Sequence, residues 1–192
     1  MTTSITSPSA AVWNAWEAEG RSYQLITDRE LLLFTQHFPI RGGHIAVDVG
    51  CGSGGFTRQL HRFGYDVTGI DFADAALNAA RRTPLSGVRY IRHDLNKGDP
   101  LNLRMHGIDL VVCRLAMPFL TDPVSWIRRV RDSWLRPGGR MYAVIPVVGD
   151  DIGRPGGMTE RELAPLTLGW AQAVRYNLRG PLACLALRST AT

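Results

Sequence analysis

Val47-Asp48-Val49-Gly50-Cys51-Gly52-Ser53-Gly54-Gly55 is the stretch whose reading decides the fold. It closes an apolar run that begins at His44, and it opens onto Phe56, Leu60 and Phe63, which recur at helical spacing. A glycine-rich turn between a strand and a helix lets backbone approach a ligand closely, because no Cβ intervenes. Gly50, Gly52 and Gly55 fit the dinucleotide spacing G-x-G-x-x-G. Asp71 follows about 20 residues on, at the end of the next strand, where ribose hydroxyls take a carboxylate. These residues point to a ribose-bearing nucleoside cofactor and leave its identity open.

Working outward, strand patterns at 44–49, 65–71, 88–94, 108–113 and 140–148 alternate with helical patterns at 56–63, 73–82 and 122–135. That order predicts an α/β fold with a parallel sheet and helices on both faces. Residues 95–107 are too polar and too few for a full crossover helix. Asp122-Pro123 is a capping acid with proline in the first turn, and Pro137-Gly138-Gly139 is expected to end that helix. Thr159-Glu160-Arg161-Glu162 is a capping box. The strand patterns at 170–178 and 182–187 are joined only by Arg179-Gly180-Pro181, a connection that permits an antiparallel hairpin alone. We expect a disordered tail over 1–10 and one domain over 11–192, with a helical cap at 11–42 and the core at 43–192.

Composition narrows the classes. The chain has 192 residues, is 45% hydrophobic and 20% charged, and matches globular averages. It has no apolar run of membrane-spanning length and no secretory leader pattern. Cys51, Cys113 and Cys184 are odd in number and lack metal-ligand spacing, which fits reduced thiols in the cytoplasm. The net charge of +5 is carried almost wholly by scattered arginines, Lys97 being the only lysine. That dispersion argues against a nucleic-acid partner.

The glycine stretch resembles motif I of the class I S-adenosylmethionine-dependent methyltransferases, with Asp48 two residues before the first glycine. Its counterpart in that family helps orient the cationic amino end of the cofactor's methionine, whereas a pyrophosphate loop has no use for an anion there. Leu135-Arg136-Pro137-Gly138-Gly139 resembles the family's approach to its fifth strand, and the terminal hairpin resembles its last two strands. The resemblance implies a Rossmann-like, doubly wound seven-stranded sheet of order 3-2-1-4-5-7-6 with strand 7 antiparallel. It implies S-adenosylmethionine as cofactor, with S-adenosylhomocysteine as product. Gly50, Cys51, Gly52 and Gly54 would cradle the cofactor, Asp71 would bind the ribose and Phe72 would pack on the adenine. His93, Asp94 and Leu95 would line the adenine pocket, with Asp94 accepting from its amino group. Cys113, Arg114 and Leu115 would border the methionine end, together with Arg21 and Tyr23 from the cap.

Methyl transfer from a sulfonium needs alignment more than a catalytic group, so a base is required only for an acceptor of high pKa. The base must lie at the C-terminal edge of the sheet. His44 and His106 sit at the opposite edge, His37 in the cap and His61 on a crossover helix. His93, Asp150 and Asp151 are the weak candidates, and the loop 149–157 and residues 10–40 are where specificity is expected. Trp13, Trp16, Tyr23, Phe34 and Phe38 read as cap packing. Met117-Pro118-Phe119 reads as bordering the transferred methyl, and Cys113-Arg114-Leu115-Ala116 replaces the N-P-P-[YF] tetrad of amino-group methylation. No metal site is expected. The expected function is methylation of a small molecule, by a monomer or homodimer. The alternatives are a nicotinamide-dependent oxidoreductase, for which no Tyr-x-x-x-Lys arrangement appears, and a non-catalytic cofactor-binding protein.

Overall fold

The computed structural model describes residues 11–12, 15, 26–40, 42–149 and 156–191. A helix α1 (Asp28–His37) precedes β1 (Ile45–Val49), α2 (Gly55–Arg62), β2 (Asp66–Asp71), α3 (Asp74–Arg81) and β3 (Val88–Arg92). A single 3₁₀ turn, Leu95–Lys97, stands in the polar crossover, as its composition requires. β4 (Ile108–Arg114), a 3₁₀ turn Met117–Phe119, α4 (Pro123–Arg129), a π-turn Val130–Trp134 and β5 (Leu135–Pro146) follow. A short helix α5 (Glu160–Leu163), β6 (Gln172–Asn177) and β7 (Leu182–Arg188) complete the chain.

The seven strands form one sheet in the order β3-β2-β1-β4-β5-β7-β6. β1 to β5 are parallel, and β7 runs antiparallel to both β5 and β6. Side chains alternate across the sheet, so each strand feeds two cores. Val111 and Cys113 of β4 join Met141, Ala143 and Ile145 of β5 beneath Trp126, Ile127 and Trp134. Leu110, Val112, Tyr142 and Val144 face the other way, against Phe34 and Phe38 of α1 and Phe56 and Leu60 of α2. Phe34 and Phe38 are packing residues, stacked at 4.8 Å and 13° with Phe34 edge-on to Tyr142 at 5.0 Å. Trp13, Trp16 and Tyr23 lie outside the described residues.

Two local signals resolve differently in space. Pro137-Gly138-Gly139 does not stop the helix before the fifth strand, because β5 already begins at Leu135, paired with Ile108. Arg140 then pairs with Leu110, so residues 136–139 bulge opposite Asp109 alone. A Cβ on Gly139 would lie 2.8 Å from the Arg136 carbonyl oxygen and 3.1 Å from that of Ile108, which is why the bulge needs glycine. The helix opened by Asp122, whose carboxylate accepts from the Ser125 amide at 2.9 Å, widens into the π-turn after Arg129. The capping box at Thr159 and Glu162 forms as the sequence indicates. Among the described residues, no helix is long and apolar enough to cross a membrane.

Candidate functional site

The glycine turn sits at the C-terminal edge of β1, between β2 and β4. The amides of Gly50 and Cys51 both donate to the Ile70 carbonyl, at 2.8 and 3.1 Å, which fastens the turn to β2. Gly50 is exposed and has φ 66°, and a Cβ there would overlap the Cβ of Ala116, beyond β4. Glycine is therefore required both for the left-handed backbone and for the close approach. Gly54, at φ 80°, starts α2 with no capping side chain, so its first amides face the turn. The Cys51 thiol is buried, and burial pushes its pKa well up. It packs in the wall of the turn.

Two carboxylates flank the turn. Asp71, at the end of β2, accepts from the Gly52 amide through Oδ2 and from the Ala73 amide through Oδ1, both at 2.9 Å. Burial raises its pKa despite those bonds. Asp48 is 1% exposed and accepts from the Thr57 hydroxyl of α2 at 2.6 Å. Burial lifts its pKa to about 7, against the lowering pull of Thr57 and Arg114. No basic side chain among the described residues lies within ion-pair distance of Asp48. A dry carboxylate beside a glycine cradle suits a ligand whose adjoining end is cationic, and it would repel a pyrophosphate.

The other expected site residues distribute as follows. Phe72 is half-buried just beyond β2. His93 follows β3, and its Nε2 lies 2.9 Å from the Gly98 carbonyl, which can only accept, so Nε2 carries the proton. Asp94 caps the 3₁₀ turn by accepting from the Asn96 amide at 3.1 Å, and Leu95 packs toward the core. Cys113 is fully buried, its thiol facing the core, where burial pushes its pKa up to a value above the ordinary range. Leu115 adopts φ 65° with its amide donating to the Val144 carbonyl at 2.7 Å, a strained turn that redirects the chain after β4. Met117 is buried and Phe119 half-buried in the turn that follows. Arg21, Tyr23, Asp150 and Asp151 lie outside the described residues. Asp48, the glycine turn, Asp71, Phe72, His93 and Leu115 thus share one edge of the sheet.

Sequence reading missed Glu30. Arg114, at the end of β4, does not extend alone toward the site but forms a bidentate pair with Glu30 of α1: Nε to Oε1 at 2.7 Å and Nη2 to Oε2 at 3.0 Å. Glu30 is 2% exposed, and the Tyr142 hydroxyl donates to Oε1 at 3.3 Å. Its only local mark was an acid on the apolar face of α1, one turn before Phe34. Among the described residues, no group of three or more metal-ligating side chains comes together.

Comparison with known proteins agrees with this geometry. A family model described as a methyltransferase domain matches residues 47–143, from β1 through most of β5. A ubiquinone biosynthesis O-methyltransferase of Acinetobacter baylyi is 31% identical over 135 residues, which are 69% of this chain and 56% of the relative. The chain therefore spans about half the length of the curated relatives it matches. Among solved structures, an S-adenosylmethionine-dependent methyltransferase of Mesorhizobium loti superposes with a TM-score of 0.67 at 22% identity, covering 83% of this chain and 97% of that one. The N-methyltransferase NodS of Bradyrhizobium japonicum, in complex with S-adenosylhomocysteine, gives 0.64 at 20% identity, covering 85% and 88%. With the family's span, its strand order and its acid-led glycine turn all present, the chain belongs to the methyltransferase-domain family, the class I S-adenosylmethionine-dependent methyltransferases.

Proposed function

We propose that the chain transfers a methyl group from S-adenosylmethionine to a small-molecule acceptor, leaving S-adenosylhomocysteine. The observation that carries this reading is Asp48, a buried carboxylate at the glycine turn with no basic side chain among the described residues at ion-pair distance. S-adenosylmethionine brings a methyl group already activated on a sulfonium. The chain's own part is to hold and to align. Asp48 supplies the anion for the cationic methionine end, the open backbone at Gly50 permits close approach, and Asp71 accepts from the ribose hydroxyls. Leu115 and the Met117–Phe119 turn border the acceptor side, where alignment at about 3–3.5 Å lowers the barrier by several kcal/mol.

The distribution of charge supports a small acceptor. Arg58, Arg92, Arg129, Arg131, Arg136 and Arg175 each spend their charge on a nearby carboxylate or carbonyl instead of pooling into a stripe. The name of the Acinetobacter baylyi relative concerns O-methylation, so phenolic and other hydroxyl acceptors are the first to try. Calorimetry should show binding of S-adenosylmethionine and S-adenosylhomocysteine and none of NADH. Isotopically labelled S-adenosylmethionine with a panel of hydroxyl and amine acceptors should then yield a labelled product. NADH binding in place of S-adenosylmethionine would remove the reading.

A further inference from the structure

Strand alternation puts Asp48 and Arg114 on the same face of the sheet. Ala46 of β1, Leu110 and Val112 of β4, and Tyr142 and Val144 of β5 all belong to the core beneath α1 and α2. Asp48 shares the side of Ala46, and Arg114 the side of Val112. The register pairs Asp48 with Val112, which sets Arg114 one pleat further along the neighbouring strand, diagonal to Asp48. Diagonal neighbours on one face stand roughly 7–8 Å apart, well inside the reach of an arginine. Arg114 nevertheless commits its guanidinium fork to Glu30, on a different element and 84 residues away in sequence. Two buried carboxylates, Glu30 and Asp48, thus flank one largely buried cation, and the bidentate geometry goes to the one on α1.

As a packing device this is an expensive choice. Burying an ion pair costs desolvation that its attraction offsets only with good geometry, and apolar side chains of the same size hold an interface as well or better. The helix itself fixes Glu30 in position, since Thr27 caps α1 by accepting from the Glu30 amide at 3.2 Å, and Phe34 and Phe38 anchor the same face. Resting on the methyl-transfer reading above, we propose that Glu30 is a positioning residue for the cofactor site: its clamp on Arg114 keeps that guanidinium from neutralising Asp48 and reserves the Asp48 carboxylate for a cationic ligand. The groups acting on Asp48 are Thr57 of α2, Arg114 and Cys113 of β4, Asp71 of β2, Cys51 of the turn and Tyr90 of β3. Among the described residues, Arg114 is the one cation that acts on Asp48. Which carboxylate it serves therefore sets the charge offered to a ligand.

The test uses the whole chain and S-adenosylhomocysteine and S-adenosylmethionine as probes. In Glu30→Gln, Arg114 should turn to Asp48, so the Kd for both probes at pH 8 should rise at least about tenfold. Loss of binding on acidification, which follows protonation of Asp48 near pH 7 in the parent, should move to lower pH. A carboxyl ¹³C titration of ligand-free Glu30→Gln should show the same downward move for Asp48. The double variant Glu30→Gln/Arg114→Met removes the competitor, and its Asp48 titration midpoint should return to the parent's or above it. An unmoved pH midpoint in Glu30→Gln, or a double variant whose midpoint stays with that of the single variant, would overturn the proposal, because a purely structural tie gives no such pair of shifts. Should Glu30→Gln not fold, Glu30→Asp keeps the charge and shortens the clamp; it should weaken binding about threefold, and unchanged binding overturns the proposal equally. A parent that binds neither probe defeats the methyl-transfer reading itself, an outcome separate from all of these.

Discussion

Asp48 and Asp109 sit on adjacent strands at opposite edges of the sheet, and their surroundings could hardly differ more. Asp109, early in β4, accepts from the Ile45 amide at 2.8 Å, pairs with Arg136 of the β5 bulge and lies 3.5 Å from Nδ1 of His44. Both of its oxygens have protein partners. Asp48 lies deeper, and among the described residues its partner is Thr57, with no cation at ion-pair distance. The first carboxylate is a tie between elements, holding β1, β4 and the bulge in register. The second is a charge the fold keeps dry and underused, which costs stability and makes sense at a binding edge.

The sharpest way to break this contrast is Asp48→Asn. Calorimetry at pH 8 should show cofactor affinity reduced on the order of 100-fold, as for a buried charge-assisted contact. Stability should move the other way. The folded pKa of Asp48, about 7, stands above its ordinary 3.8, so the folded state binds the proton more tightly. Asp48 therefore costs nothing below pH 4, costs progressively more from pH 4 to 7, and costs about 4 kcal/mol above that. Chemical denaturation of the ligand-free protein should find Asp48→Asn more stable than the parent at pH 8 and similar near pH 4. Asp71→Ala should have a smaller effect on binding, about tenfold, because its two amide partners hold the turn as well as the ribose. Asp109→Asn should leave cofactor affinity unchanged and destabilise by no more than about 1 kcal/mol, because its partner Arg136 is exposed. An equal loss of affinity in Asp48→Asn and Asp109→Asn would erase the distinction between the two edges.

Much of this was legible in the chain. The alternation of strand and helix patterns, the hairpin forced by Arg179-Gly180-Pro181, and the placement of Asp48 and Asp71 around the glycines are local or short-range signals, and the structure follows them. What was not legible depends on packing between distant segments. Glu30 and Arg114 meet because α1 crosses the end of β4, and nothing within either segment announces the partner. Pro137-Gly138-Gly139 was ambiguous for another reason: a proline followed by glycines ends a helix or makes a bulge with the same residues, and only the pairing of Leu135 with Ile108 decides. Asp94 keeps its position at the site edge, yet its carboxylate also serves as a cap, a double duty that spacing alone does not reveal.

The two outermost strands differ from the five between them. β3 presents Arg89 and Arg92 outward, and β6 is mostly exposed with Arg175 at its middle. Arg92 is answered by Asp74 and Arg175 by Glu160, so an incoming strand would meet charged pairs and the exposed Arg89 at these margins. Charged margins of this kind discourage newly made copies from zipping edge to edge.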